Sequence, residues 1–529
     1  MRSDTMLKIY RNYWTHLLDL RGRASRKAYW IPVLINYVLS LLLILLFNNI
    51  LTVAVTFSSI DSLNNLFVAV IHQMIILLTW LATFSIKVRR LHDTNRSGWW
   101  VFISFIPLVG SLYFLVLMLL PSKKITKNTS TYRENRPLLL TVVGLAATAS
   151  IISIVWRNYL TYTNSIYQAN EVQKWSADQH ALLSRQAFKQ LLTKYQHQKS
   201  TGIMPKAFKT VIIPGLHGAW SINHQTKQAA FGSNWVPQGL TENDDSYFIS
   251  AYDGNHRLNS LIFIVDKQTG KYQKSLILSR KAHVGGLAYD RDHQLLWVSD
   301  DTHQSAQVLA LRLATINRYQ AAKVQQPIKA DQIAPLKWAS KTSGLSYFKN
   351  NLLIVKYGNN INNRSVVDFE VNHQTGFIKP ATMRTPQVSA QEAAKMNRTQ
   401  FIAMLKKQGL IKSYSPGYNR MQGLAVLPTK DQESVFTLYT QSNGDQSSHL
   451  IINRSYFKND FDFSRISKRN NQYKELASIA IPPSAEQVSA NASTHSISLL
   501  FEGGAREYRK YRLGLLQTPF SDRILVMKY

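Results

Sequence analysis

Residues Pro137–Trp156 read PLLLTVVGLAATASIISIVW, twenty positions without one charged side chain. A helix of about 20 apolar residues is what a hydrocarbon core of about 30 Å requires. Before this stretch, long apolar runs alternate with short basic loops; after it the chain is polar, with short strand-like runs. It therefore divides a membrane half from a water-soluble half. The expected architecture is an α-helical transmembrane domain of about four helices followed by an all-β module.

The chain has 529 residues, 45% of them apolar, with aromatic residues throughout, which excludes a wholly disordered protein. It contains no cysteine. Disulfides, thiolate zinc sites and cysteine nucleophiles are excluded with it. The formal charge is +32, and residues 1–156 hold only 16 of the 62 Lys and Arg and 5 of the 30 Asp and Glu. The remainder keeps a net charge of +21. A surface so basic attracts polyanions, here anionic lipid or an anionic cell-envelope polymer, and no arginine-rich arm or nucleic-acid motif is present.

In the membrane half, Ala28 to Ile60 is charge-free and too long for a signal-peptide core. Spans are expected over Trp30–Val55, Leu66–Ile86 and Trp99–Leu120, the last containing Pro107 and Gly110, with Pro137–Trp156 as the fourth. His72 is the titratable residue well inside a span, and a histidine there reads as a packed one. Three ordered motifs stand out. They are Leu20-Arg21-Gly22-Arg23-Ala24-Ser25-Arg26-Lys27-Ala28-Tyr29-Trp30, then Arg89-Arg90-Leu91-His92-Asp93 with Arg96-Ser97-Gly98-Trp99-Trp100, then Ile106-Pro107-Leu108-Val109-Gly110.

This series resembles the YhaH-like small bacterial inner-membrane proteins (domain-of-unknown-function family 805, DUF805) over about residues 10–136. The resemblance implies a helical membrane domain at 1–136 and brings no assigned activity. Positive charge beside a span stays cytoplasmic. Arg21, Arg23, Arg26, Arg89 and Arg90 are accordingly expected to form a collar on anionic lipid headgroups. His92 and Asp93 read either as an ionisable pair that moves protons or binds a headgroup, or as a turn in which Asp93 accepts backbone N–H groups.

Topology carries a conflict. With the N-terminus inside, four crossings return the C-terminal module to the cytoplasm, yet Lys123, Lys124, Lys127, Arg133 and Arg136 beside the last helix favour an external module. Both hold if the segment with Pro107 and Gly110 does not cross fully. The expected localisation is a multi-pass cell-membrane protein with its C-terminal module outside.

From Arg157 to about 206 an amphipathic helical stem is expected, with Val172, Trp175, Leu182, Leu183, Phe188, Leu191 and Leu192 at helical spacing. From 207 to 529 a repeat emerges. Gln238-Gly239-Leu240, Gly285-Gly286-Leu287, Ser343-Gly344-Leu345 and Gln422-Gly423-Leu424 each precede an apolar β-run, and Gln487-Val488-Ser489 is taken as the fifth. Asp266-Lys267-Gln268-Thr269-Gly270 and Asn372-His373-Gln374-Thr375-Gly376 are matching turns, with Asn223-His224-Gln225-Thr226-Lys227 a copy lacking the glycine. Such units build a β-propeller of five blades, or six if the N-terminal strands form their own. Closure is expected from Lys209–Pro214 or from Ala219–Phe231 pairing with the last strand, and 390–410 is a helical insertion.

In a propeller the first strand of each blade lines the axis, so Gln238, His283, Ser343, Gln422 and Gln487 are expected at one mouth as a neutral hydrogen-bonding ligand site. The function expected is binding, adhesion or sensing at the bacterial envelope, without catalysis or cofactor. The alternative resembles calcium-dependent lactonases on six-bladed propellers. It would draw oxygen ligands from Glu242, Asp253, Asp300, Asp301, Asp368 and Glu502, of which Asp300, Asp301 and Glu502 are the metal candidates. Asp300-Asp301 also reads as a solvated turn. No Gly-x-Ser-x-Gly elbow, phosphate loop or His-Glu-x-x-His helix is present.

Overall fold

The computed structural model describes residues 5–39, 62–105, 109–123, 144, 148, 152, 169–196, 208–302, 305–429, 434–444, 446–456, 473–509, 511–512, 516–517 and 519–528. These form two compact units, Met1–Tyr162 and Thr163–Tyr529.

The N-terminal unit contains helices Met6–Thr15, 26–39, Ser62–Asp93 and Val109–Leu119, and a 3₁₀ helix Gly98–Phe105. Tyr13, Phe84, Val88, Leu91, Val101, Phe114 and Met118 pack between them. The long helix runs seven residues past Ile86 and stops where Asn95 takes φ 59° and the Arg96 N–H bonds the Leu91 carbonyl at 3.0 Å. Asparagine tolerates that left-handed cap. The third expected span is not one α-helix: Gly98–Phe105 is 3₁₀ and Val109–Leu119 is a separate α-helix. The first span beyond residue 39 lies outside the described residues. So does the fourth, Pro137–Trp156, apart from Gly144, Thr148 and Ile152, which are helical. Among the described residues no helix is long and apolar enough to cross a membrane.

The second unit holds five four-stranded antiparallel sheets. Their innermost strands are Trp235–Glu242, Leu287–Asp290, Gly344–Phe348, Met421–Pro428 and Ala485–Asn491. Each packs on the next and the fifth on the first, which closes a five-bladed β-propeller numbered here blade 1 to blade 5. The second strands, such as Ser246–Asp253 and Ser496–Phe501, are buried along their whole length. They lie between neighbouring sheets, so both faces are apolar.

Blade 5 takes strands from both ends of the unit. Phe208–Ile212 pairs with Arg523–Lys528, Thr210 opposite Leu525, so Lys209–Pro214 is the closing stretch. Ala219–Ile222 instead pairs with Ala229–Gly232 in a separate hairpin, and no sixth blade forms among the described residues. Pairing the first strand with the last leaves no free edge between the chain ends.

The three related turns adopt one geometry. Asp266 Oδ1 accepts the Thr269 N–H at 2.7 Å, Asn372 Oδ1 the Thr375 N–H at 3.0 Å and Asn223 Oδ1 the Thr226 N–H at 3.1 Å. The left-handed position after each is Gly270, Gly376 or, in the third, Lys227.

Of the expected stem, helix is found over Arg185–Gln196, while 169–184 is irregular. Side-chain bonds to the propeller outcompete helix there. Gln179 Nε2 donates to the Ile212 and Gly270 carbonyls at 3.0 and 2.9 Å, and its Oε1 accepts the Tyr272 N–H, so one amide spans blades 5 and 1. Asp522 Oδ2 accepts the N–H groups of Leu182 and Leu183 at 2.7 and 2.8 Å. Phe188 is buried under the Arg523 guanidinium, 4.7 Å from its ring. Blade 3 carries the inserted helices Ala390–Lys395 and Arg398–Lys407, the latter started by an Asn397–Gln400 capping box.

Candidate functional site

The glycines of the repeat mark where neighbouring innermost strands approach at the axis. A Cβ on Gly286 would lie 2.4 Å from Leu345 N, and one on Gly423 would lie 2.7 Å from Gln487 Cα. The innermost strands of blades 1, 4 and 5 are bulged between Pro237 and Leu240, Met421 and Gly423, and Ala485 and Val488. Val488 thereby occupies the place of Leu240 and Leu424. Gln487 stands where the other blades have glycine, and Glu486 stands where they have Gln238 and Gln422.

Reading Gln487 as a mouth residue was one position late. Its side chain fills the axial space that the glycines leave. Oε1 accepts the N–H groups of Leu240 and Leu287 at 3.0 and 2.8 Å, and Nε2 donates to the carbonyls of Leu287 and, at 2.7 Å, Leu345. One buried amide thus ties blade 5 to blades 1, 2 and 3, and the axis is plugged at this level.

Above the plug the mouth gathers Gln238, Ser343, Gln422 and Glu486 from the innermost strands, Gly285 adding no side chain. Glu502 comes from the end of the second strand of blade 5. Glu486 is 4% exposed, and its carboxyl hydrogen-bonds that of Glu502. Gln422 Nε2 donates to Glu486 Oε1 at 3.0 Å, and Gln238 Nε2 to Glu502 Oε2 at 2.9 Å. Burial, followed by the facing Glu502 charge, drives Glu486 far above the ordinary carboxyl range; burial lifts Glu502 to about 7. Two carboxyls this close do not ionise together, so the pair shares a proton near neutrality.

Tyr508 donates to Glu502 and accepts from Tyr252. Tyr252 in turn stacks on His283 with ring centroids 4.4 Å apart, and on His256 at 5.5 Å. His283 is exposed on one side, but the protein around the rest of the ring lowers its pKa to about 4, with the Lys341 charge adding to the effect. It is neutral at pH 7. Ser343 Oγ accepts the Tyr357 N–H at 3.0 Å. The result is a cluster of amides, phenols, a neutral imidazole and a proton-sharing carboxyl pair. It can both donate and accept, and it can take up or release a proton.

The acids considered for calcium have other engagements. Glu242 pairs with Lys267 and accepts from Ser498 at 2.9 Å; Asp253 caps a turn through the Arg257 and Leu258 N–H groups, each 3.0 Å away; Asp368 accepts from Ser413. Asp300 and Asp301 are not a solvated turn. Asp300 is 1% exposed, accepts from Gln307 at 2.8 Å and is raised to about 6, chiefly by burial. Asp301 accepts the Thr342 hydroxyl at 2.7 Å. Among the described residues no three His, Cys, Asp or Glu side chains are placed to share a metal ion. The residues missed from sequence are Glu486, Tyr252 and Tyr508. Aligning Val488, rather than Ser489, with the repeat leucine would have brought Glu486 into the ring.

In the N-terminal unit the basic motif is partly internal. Arg90 is fully buried, bonded to the Asp93 carboxylate and to the carbonyls of Leu120 and, at 3.3 Å, Met118. The Asp93 carboxylate accepts from Arg90 and Ser122 and is ion-paired with Arg23 at 3.6 Å, in place of the expected backbone N–H groups. His92 Nδ1 lies 3.3 Å from the Gly22 carbonyl. Arg89 is buried beside Asp19, while Arg21, Arg23 and Arg26 are exposed.

The family described as "Protein of unknown function (DUF805)" matches residues 17–130. The chain is 34% identical over 113 residues to Inner membrane protein YhaH of Escherichia coli K12, 21% of this chain and 82% of that protein. It is 31% identical over 110 residues to Inner membrane protein YhaI of the same strain, 21% of this chain and 78% of that one. Among solved structures, the periplasmic gluconolactonase PpgL of Pseudomonas aeruginosa aligns over 50% of this chain and 75% of its own, at 10% identity and a TM-score of 0.24. A likeness that slight says nothing about what this chain does. Matched across most of the length of two inner-membrane relatives, the chain belongs through its N-terminal part to the DUF805 membrane protein family, and it joins that part to a five-bladed β-propeller.

Proposed function

We propose that this protein is a multi-pass membrane anchor carrying an external propeller that binds a component of the bacterial envelope at its mouth, as an adhesion or sensing module without catalysis. The observation that carries this reading is the Glu486–Glu502 pair held between Gln422 and Gln238 above a plugged axis. A mouth rich in paired donors and acceptors fits a neutral, hydroxyl-rich group, since each hydroxyl both donates and accepts. Two carboxyls at its base disfavour an anion there. The net +21 of residues 157–529 instead attracts an anionic envelope polymer to the exterior while its hydroxyl-bearing part enters the mouth.

The test is retention of the full chain on isolated envelope polysaccharide across ionic strength, compared with a Glu486→Gln/Glu502→Gln variant. Weaker retention of the variant, together with salt sensitivity in both, supports the reading. Equal retention that ignores salt counts against it. Protease treatment of intact cells tests the side: a propeller that survives while outer-surface proteins are cleaved is not external. Calcium addition and chelation in a thermal-shift assay address the hydrolase alternative, which a calcium-linked rise of several degrees would favour.

A further inference from the structure

The helix Ser62–Asp93, the 3₁₀ helix Gly98–Phe105 and the helix Val109–Leu119 border a cleft of about 330 Å³ inside the N-terminal unit. Trp80, Phe84 and Phe114 form its apolar walls, and Lys87 reaches into it. The Lys87 ammonium lies 5.4 Å from the centre of the Phe114 ring, and among the described residues it has no carboxylate or carbonyl partner. The nearest acid along its helix, Asp93, is already engaged by Arg90, Arg23 and Ser122. A half-buried ammonium facing aromatic walls is costly unless an anion joins it, and a ring face offsets only about 0.5–2 kcal/mol of that cost.

The sequence places this charge at a defined depth. Lys87 is the first Lys, Arg, Asp or Glu after Asp61, at the end of an apolar run. That is where the headgroup level of a bilayer meets the chain. Ser104 and Ser111, with Thr83 and Tyr29, also line the cleft. Ser104 Oγ donates to the Val101 carbonyl at 2.6 Å and Ser111 Oγ to the Ser104 carbonyl at 3.3 Å, so both hydroxyl oxygens retain lone pairs to accept with. At roughly 30 Å³ per water, the space would hold about eleven waters, enough for a headgroup and the start of one acyl chain but not for a whole lipid.

We infer that this cleft binds one anionic amphiphile, its phosphate on Lys87, head hydroxyls on Ser104 and Ser111, and its chain along Trp80, Phe84 and Phe114. The site is independent of the propeller mouth. Phosphatidylglycerol is the probe, phosphatidylcholine the uncharged-net control and inorganic phosphate the headless one.

With the full chain in bilayer discs, native mass spectrometry counts lipid retained per protein. Wild type is expected to keep one phosphatidylglycerol in preference to phosphatidylcholine. Lys87→Met should weaken that preference about tenfold, the loss of one partly buried ion pair, while Lys87→Arg and Arg11→Gln, the latter an exposed position, retain it. A second readout needs no variant: acylation of Lys87 by an amine-reactive ester should slow with phosphatidylglycerol and not with phosphatidylcholine or inorganic phosphate. Equal retention by Lys87→Met overturns the assignment. So does equal protection by both lipids, or protection by inorganic phosphate alone.

Discussion

Replacing Gln487 with methionine probes the closure of the ring at its centre. The two side chains are similar in length and volume, so the change removes hydrogen bonds with little change in packing. It strands two N–H groups, of Leu240 and Leu287, and two carbonyls, of Leu287 and Leu345, all at the plugged axis. A buried polar group left unpaired costs about 1–3 kcal/mol, and carbonyls tolerate it better than N–H groups. The two donors therefore dominate, and about 3–5 kcal/mol is expected once the site relaxes. For a unit of this size that lowers the melting temperature by about 4–7 °C. Thermal unfolding of the full chain, followed by the β-sheet circular dichroism signal, reads it directly. Gln487→Glu separates hydrogen bonding from shape. Its protonated carboxyl can still donate once, so it should approach wild type at acid pH and fall below the methionine variant as it ionises. A melting temperature within about 2 °C of wild type for Gln487→Met would refute the hub.

Three other outcomes are expected. Because Glu486 and Glu502 have folded pKa values raised above 4.5, the latter to about 7, they contribute stability that is fully present below about pH 4.5 and lost as pH rises toward 7. The slope is about 1.4 kcal/mol per pH unit for each group; Glu486→Gln/Glu502→Gln should flatten it, and an unchanged denaturant midpoint-versus-pH curve speaks against the shared proton. Gly286→Ala puts a methyl against the backbone of Leu345 and Gly344, which cannot yield as a side chain would, and should cost about 3 kcal/mol or prevent folding, scored by the protease-resistant fraction. Asp522→Ala removes the acceptor for the Leu182 and Leu183 N–H groups and should cost about 2 kcal/mol. Hydrogen exchange should then quicken over 182–188 first, and a uniform rise across the propeller would contradict a local clasp.

Much of the propeller was readable from one chain because its signals are local. The Gly-Leu pairs mark where strands crowd at the axis, the Asx turns set the phase of each hairpin, and strands buried on both faces read as unbroken apolar runs. The basic motifs at Arg21 to Trp30 and Arg89 to Trp100 were enough to indicate the membrane family. Local signals failed wherever a side chain found its partner far along the sequence. Gln179 and Asp522 hold 169–184 out of helix, the latter from 340 residues away, although its apolar spacing favours one. Arg90 reads as a surface cation and is instead the buried centre of a network reaching Met118 and Leu120.

The same limit governs the mouth. Composition and repeat spacing determined that five innermost strands would converge there with polar side chains. Whether Gln487 or Glu486 faces the mouth depends on a bulge between Ala485 and Val488, and a shift of one residue in a strand turns each side chain to the opposite face. That choice, and with it the meeting of Glu486 and Glu502 across a hairpin and with Gln238 across the closing seam, is made by ring closure, which no local stretch of the chain encodes.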